Sequence, residues 1–316
     1  MQGIRFHRAV RVRCGLRFLT VLALVFALGL AALPARAQEP PPVATIGPIH
    51  LSSQPEIDAG FHMLYQLKFD QAREVFTHWE KEHPEEALGP AAVAASYLFQ
   101  EFDRQGVLTS NFFLNDDKLL GGVPGTPDPV VREAFNAAVQ KSEDLAHASL
   151  KSNPQDADAL FALTISTGML ADYASMIERK QIESLRLTRQ ADVVAKNLLA
   201  VAPGAADAYV ALGAANYIMG CLPLYKRFLI RFGGFHGDRA LGMQQLARTA
   251  AYGHYLRPFA KLTLALAAER EKQWDLARTE FEQLTAEFPG NAKFAYELAK
   301  LKGTIGPASA SHSAGH

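Results

Sequence analysis

Few of the side chains able to do chemistry stand at a useful spacing. His78 and His83 are five residues apart, which splays them around a helix instead of pairing them. His236 lies in the turn Gly233-Gly234-Phe235-His236-Gly237-Asp238, where a histidine base would need a carboxylate partner. That turn lacks the Gly-Lys-Ser/Thr ending of a phosphate-cradling loop, and no strand pattern precedes it. Cys221 sits in an apolar helical run and reads as a small core residue. His312 and His316 lie in a Gly/Ala/Ser-rich tail and read as solvated, with a weak metal grip as the alternative. The sequence has no His-Glu-x-x-His, Cys-x-x-Cys or Gly-x-Ser-x-Gly motif. No catalytic residue, metal site or cofactor is therefore expected, and the chain reads as a binding protein, with an enzyme as the remote alternative.

The elements that would carry binding are helices. Between residues 55 and 302 apolar residues recur at three- and four-residue intervals and strand patterns are nearly absent. Two segments share a longer repeat. Gly60, Ala72, Phe76 and Pro84 have the same spacing as Ala265, Ala277, Phe281 and Pro289. The phrases KFDQAREVF (68–76) and QWDLARTEF (273–281) match accordingly. Small residues let paired helices approach, the aromatic fills the gap between them, and proline stops the second helix. This spacing resembles the tetratricopeptide repeat. The expected fold class is all-α, a tetratricopeptide-like solenoid of antiparallel helix hairpins. In the middle, Asn153-Pro154 and Ala202-Pro203 end helices, and Ser175–Val201 reads as one long helix. Gly106–Asp128, with paired glycines and two prolines, reads as a long loop (106–128) packed on the array.

The stretch from Ala206 to Asp238 opens like a repeat helix and breaks at Pro223. Leu222, Tyr225, Leu229 and Phe232 would share one helix face, with Lys226, Arg227 and Arg231 nearer the other. Tyr225, Lys226, Arg227 and Arg231 thus form a candidate membrane or partner surface, and a solvated basic face is the alternative. Gly234, Phe235, Gly237, Asp238 and Arg239 form a structural turn in which Asp238 is placed to cap the next helix. The passage Leu222, Pro223, Gly234, Phe235, Gly237, Asp238, Arg239 and Gly242, followed by Arg257-Pro258, resembles the eukaryotic inclusion-body-clearance family of tetratricopeptide proteins over residues 205–300. That resemblance implies a helical solenoid without known catalysis, acting through protein or lipid-surface contacts.

In a solenoid the first helix of each hairpin lines a concave wall. Repeat position puts Phe61, Tyr65, Phe161, Ile165, Val210, Tyr217, Leu262 and Leu266 there. A wall so apolar suits an extended apolar peptide or a lipid, unless a segment of the chain itself fills it. The expected partner is another protein or peptide in an envelope complex, with membrane-surface contact as the alternative.

Charge and the N-terminus place the protein. Residues 1–37 hold six arginines and no acid, so removing them leaves 26 basic against 32 acidic residues, a net of −6. That balance argues against a nucleic-acid partner. Basic residues up to Arg17, an apolar run to Leu33 and Ala35-Arg36-Ala37 make a three-part secretory signal. Cleavage after Ala37 and a periplasmic location are expected, with an uncleaved anchor as the alternative. The inclusion-body-clearance proteins are intracellular, and here the signal departs from them. Residues 38–54 read as a Pro-rich linker and 303–316 as a disordered tail.

Overall fold

The computed structural model describes residues 53–225 and 237–305. Among the described residues there is no strand and there are thirteen α-helices. These are α1 (Pro55–Tyr65), α2 (Phe69–Glu82), α3 (Leu88–Gln105), α4 (Ser110–Phe113), α5 (Asp116–Gly121), α6 (Pro129–Ser152), α7 (Ala157–Asp172), α8 (Gln181–Val201), α9 (Tyr209–Cys221), α10 (Arg239–Tyr252), α11 (Arg257–Arg270), α12 (Trp274–Glu287) and α13 (Ala292–Ile305). Apart from α4 and α5, each packs on the next in chain order, with α3 passing directly to α6. The protein is all-α.

Local signals fix the helix ends. Asp128 Oδ1 accepts from the Val130 and Val131 amides at the start of α6, and Asp156 Oδ1 from Ala159 N (3.0 Å) at the start of α7. Asp238 Oδ1 accepts from Leu241 N at 3.1 Å and caps α10. The helices before Pro154 and Pro203 stop at Ser152 and Val201.

The two matching repeats share their turn down to the hydrogen bonds. Lys68 N donates to Met63 O and Leu67 N to Leu64 O; Gln273 N donates to Ala268 O and Lys272 N to Glu269 O. Leu67 and Lys272, at equivalent places, take φ of 62° and 60°, a left-handed conformation unusual for side-chain-bearing residues. In the first repeat, a Cβ on Gly60 would overlap the Phe76 ring, so the glycine admits the aromatic.

Two segments differ from expectation. Residues 106–128 are not a plain loop. They contain α4 and α5, and Phe112, Phe113 and Leu119 are buried. Short apolar clusters flanked by turn residues build single helical turns that a search for long periodicity passes over. Ser175–Val201 is not one helix either. A π-helical segment, Tyr173–Ile177, extends α7, and α8 begins only at Gln181. Arg179, at φ 60°, makes the break.

The array also closes on itself. The Tyr65 hydroxyl of α1 donates to Tyr255 O (3.0 Å), and Asn291 Nδ2 donates to Tyr65 O (2.9 Å). Phe61 packs on Tyr255 and Tyr65 on Phe288. The insertion completes the closure. Ser110 donates to the buried Glu297 carboxylate of α13 through both its amide and its hydroxyl, and Arg270 of α11 donates to Phe113 O. The segment 157–177 is apolar and long enough to cross a membrane, but 72% of that window is buried inside the protein, as in a core helix.

Candidate ligand-binding cavity

Helices α1, α3, α7, α9 and α11 turn residues toward a common interior. The first of these contacts α3, α3 contacts α7, and α7 contacts α9. They do not fill the space between them. A cavity of about 400 Å³ remains, bounded by these helices together with α5 and α8. Its wall is mostly apolar, including Leu98, Phe99, Phe102, Met169, Ile218 and Phe259. Its size lies within the range of small-molecule sites. Half-buried residues at one edge, Gln181, Ser184 and Thr188 of α8 and Leu222 beyond α9, make it a partly open space.

Each of the eight residues assigned by repeat position to the inner wall is only 0 to 7% exposed. Phe61, Ile165 and Val210 line the cavity. Tyr65, Phe161, Tyr217, Leu262 and Leu266 do not line it and are instead buried in the surrounding core. Phe161 stacks on Tyr255, and the Tyr217 hydroxyl donates to Ala267 O (3.3 Å) and Glu271 Oε1 (3.2 Å). Burial pushes the Tyr217 hydroxyl well above its usual range.

Of the other candidates, Tyr225 is 66% exposed. Lys226, Arg227, Arg231, Gly234 and Phe235 lie outside the described residues. Gly237 packs on the end of α9, where a Cβ would collide with the backbone of Met219 and Gly220. Arg239 pairs with Glu271 at 3.0 Å. Burial pushes the Cys221 thiol up, which lowers its thiolate fraction.

Two carboxyls on the cavity wall stand apart from this list. Asp207, 2% exposed, accepts from the backbone amides of His254 (2.8 Å) and Leu256 (2.7 Å) and so shapes the turn that carries Tyr255. Burial raises its pKa, while those two amides pull it back down. Asp172 ends α7, where the π-helical segment begins. It is half-buried on the cavity wall, among the described residues it has no hydrogen-bond or ion-pair partner, and desolvation pushes its carboxyl up to about 7. Nothing in the surrounding sequence TGMLADYASM distinguishes this acid from a polar residue at a wet helix end. The signal is three-dimensional.

Among the described residues no group of three or more histidine, cysteine, aspartate and glutamate side chains could hold a metal ion. No protein-family model matches the chain, and no curated protein matches it.

Proposed function

We propose that the chain is a tetratricopeptide-like helical protein that binds the apolar part of a ligand inside its array, without catalysis. The observation that carries this reading is the 400 Å³ cavity itself. Protein interiors are normally packed without voids of that size, so a large apolar space reached from one edge is a binding site in waiting. The identical turns of the two repeats and the spacing around Gly60 and Ala265 support the tetratricopeptide-like assignment and, with the passage around Pro223, the family resemblance. The basic, apolar, small-residue order of residues 1–37 supports export to the periplasm, where the partner would be met.

The test is binding of a neutral apolar fluorophore, N-phenyl-1-naphthylamine. Wild type should bind it with increased emission. Ala211→Phe, which places a ring in the cavity, should weaken binding at least about tenfold while melting no lower, because it fills space. Equal binding by both proteins, or none by wild type, would overturn the reading.

A second reading, a scaffold for an extended peptide or protein partner, is favoured by Leu224 and Tyr225. Both are more than half exposed next to Leu222 of the cavity wall. On that reading Leu224→Asp with Tyr225→Asp abolishes partner capture and leaves fluorophore binding intact.

A further inference from the structure

We propose that Asp172 is the recognition point of the cavity, and that the ligand it selects is a cationic amphiphile, one apolar body carrying one protonated amine. This rests on the reading of the cavity as a ligand site. Asp172 lines both the main cavity and a smaller pocket behind it, which share Phe102, Met176, Ala214, Ile218 and Phe259. Its carboxyl therefore sits where two apolar spaces meet, within reach of a guest that fills either.

The chemistry of the wall sets the sign of the guest. Among the described residues the lining of the main cavity includes two aspartates and no lysine, arginine or histidine. Asp207 is occupied by the His254 and Leu256 amides. In the smaller pocket the other titratable side chain is Tyr217, whose hydroxyl already donates to Ala267 O and Glu271. Among the described residues no cation on either wall faces Asp172, so the site suits a ligand that brings its own. On the described wall a fatty-acid carboxylate or a phosphate head would meet two acids and no donor cation. An ammonium group would meet an unsatisfied carboxyl in low dielectric, where charge-assisted hydrogen bonds are strongest.

The π-helical segment gives the position its geometry. The i→i+5 bond from Glu178 N to Tyr173 O (3.0 Å) marks the widened turns that follow Asp172. Such widened turns recur at functional sites. The far side of the segment is held by Val123 N donating to Met176 O (2.8 Å), which ties it to the end of α5. The carboxyl thus stands on a braced element and needs no rearrangement to meet a guest.

The experiment is displacement of N-phenyl-1-naphthylamine from the full chain by decylamine, decanol and decanoate, each kept below its micellar concentration. Wild type and Asp172→Asn are compared, with thermal melts to show that both fold. Decylamine is expected to bind wild type about tenfold or more tighter than decanol, with decanoate weakest. Asp172→Asn is expected to bring decylamine within about twofold of decanol and leave decanol unchanged. Between about pH 5 and pH 7 the wild-type affinity for decylamine should climb as the carboxyl ionises, while that for decanol stays flat. If the three ligands compete equally, or decanoate competes best, or the amine preference survives Asp172→Asn, the role of Asp172 is overturned and the cavity reading stands. If the fluorophore and all three ligands fail to bind, both fall together.

Discussion

Asp172 makes a prediction about stability that needs no ligand. A carboxyl whose folded-state pKa lies above its unfolded value binds its proton more tightly when folded. Stability is then fully present below the unfolded value and is lost as pH rises toward the folded one. For Asp172 the window runs from an ordinary value of 3.8 to about 7. At about 1.36 kcal/mol per pH unit, ionisation inside the cavity costs up to about 4 kcal/mol in all. Roughly 2 to 3 kcal/mol of that falls between about pH 5 and pH 8. Asp172→Asn keeps the shape and is neutral throughout. Subtracting wild type from the variant cancels the other buried acids, Glu143, Asp207, Glu269 and Glu280, whose pKa values burial also raises. Urea unfolding of the pair across this range should show the variant gaining roughly 2 to 3 kcal/mol on wild type, or roughly 5 to 10 °C in a thermal melt. Parallel pH profiles, differing by less than about 0.5 kcal/mol in slope across the window, would show that the carboxyl is solvated or paired and would refute the reasoning.

Two further predictions concern the frame. Gly242→Ala should destabilise by about 1–3 kcal/mol in urea unfolding. A Cβ there would stand 2.5 Å from Tyr217 N and 2.8 Å from Gly213 O, backbone atoms that cannot swing aside. Lys272→Gly should stabilise by about 0.5–1 kcal/mol, measured the same way, because glycine relieves the positive φ of an exposed turn residue. A loss of stability at Lys272→Gly would mean that the turn is held by the lysine side chain.

What could be read from the chain alone follows from range. Contacts within one hairpin leave marks a few residues apart. The small residue at Gly60 and the ring at Phe76, the cap at Asp238 and the stops at Pro154 and Pro203 were all legible for that reason. Tyr65 with Tyr255 and Ser110 with Glu297 join parts of the chain 190 and 187 residues apart, and no local pattern announces them. Periodicity therefore left the wall either open or filled by the chain itself, and a partly closed cavity was not foreseen. The same holds inside the site. Phe61, Ile165 and Val210 were legible as inward-facing because helical spacing assigns a face. Asp172 was not, because whether an acid at a helix end is wet or dry depends on what later folds over it. The π-helical turns beside it are equally hidden, since they change register without changing residue type.

The contacts between the first helix and the last two have a consequence for how the molecule comes apart. In an open stack of hairpins each unit leans only on its neighbours, so a terminal hairpin can fray while the rest stands. Here the end units lean on each other. Asn291 holds Tyr65 across 226 residues of sequence, and Glu297 holds the insertion that floors the cavity. Loosening either end removes support from both, and the interior space is exposed in the same event. The molecule should therefore behave as one cooperative unit in hydrogen exchange, without a gradient of protection running from the middle to the tips. A guest seated in the cavity would then protect α1 and α13 as strongly as the helices it touches.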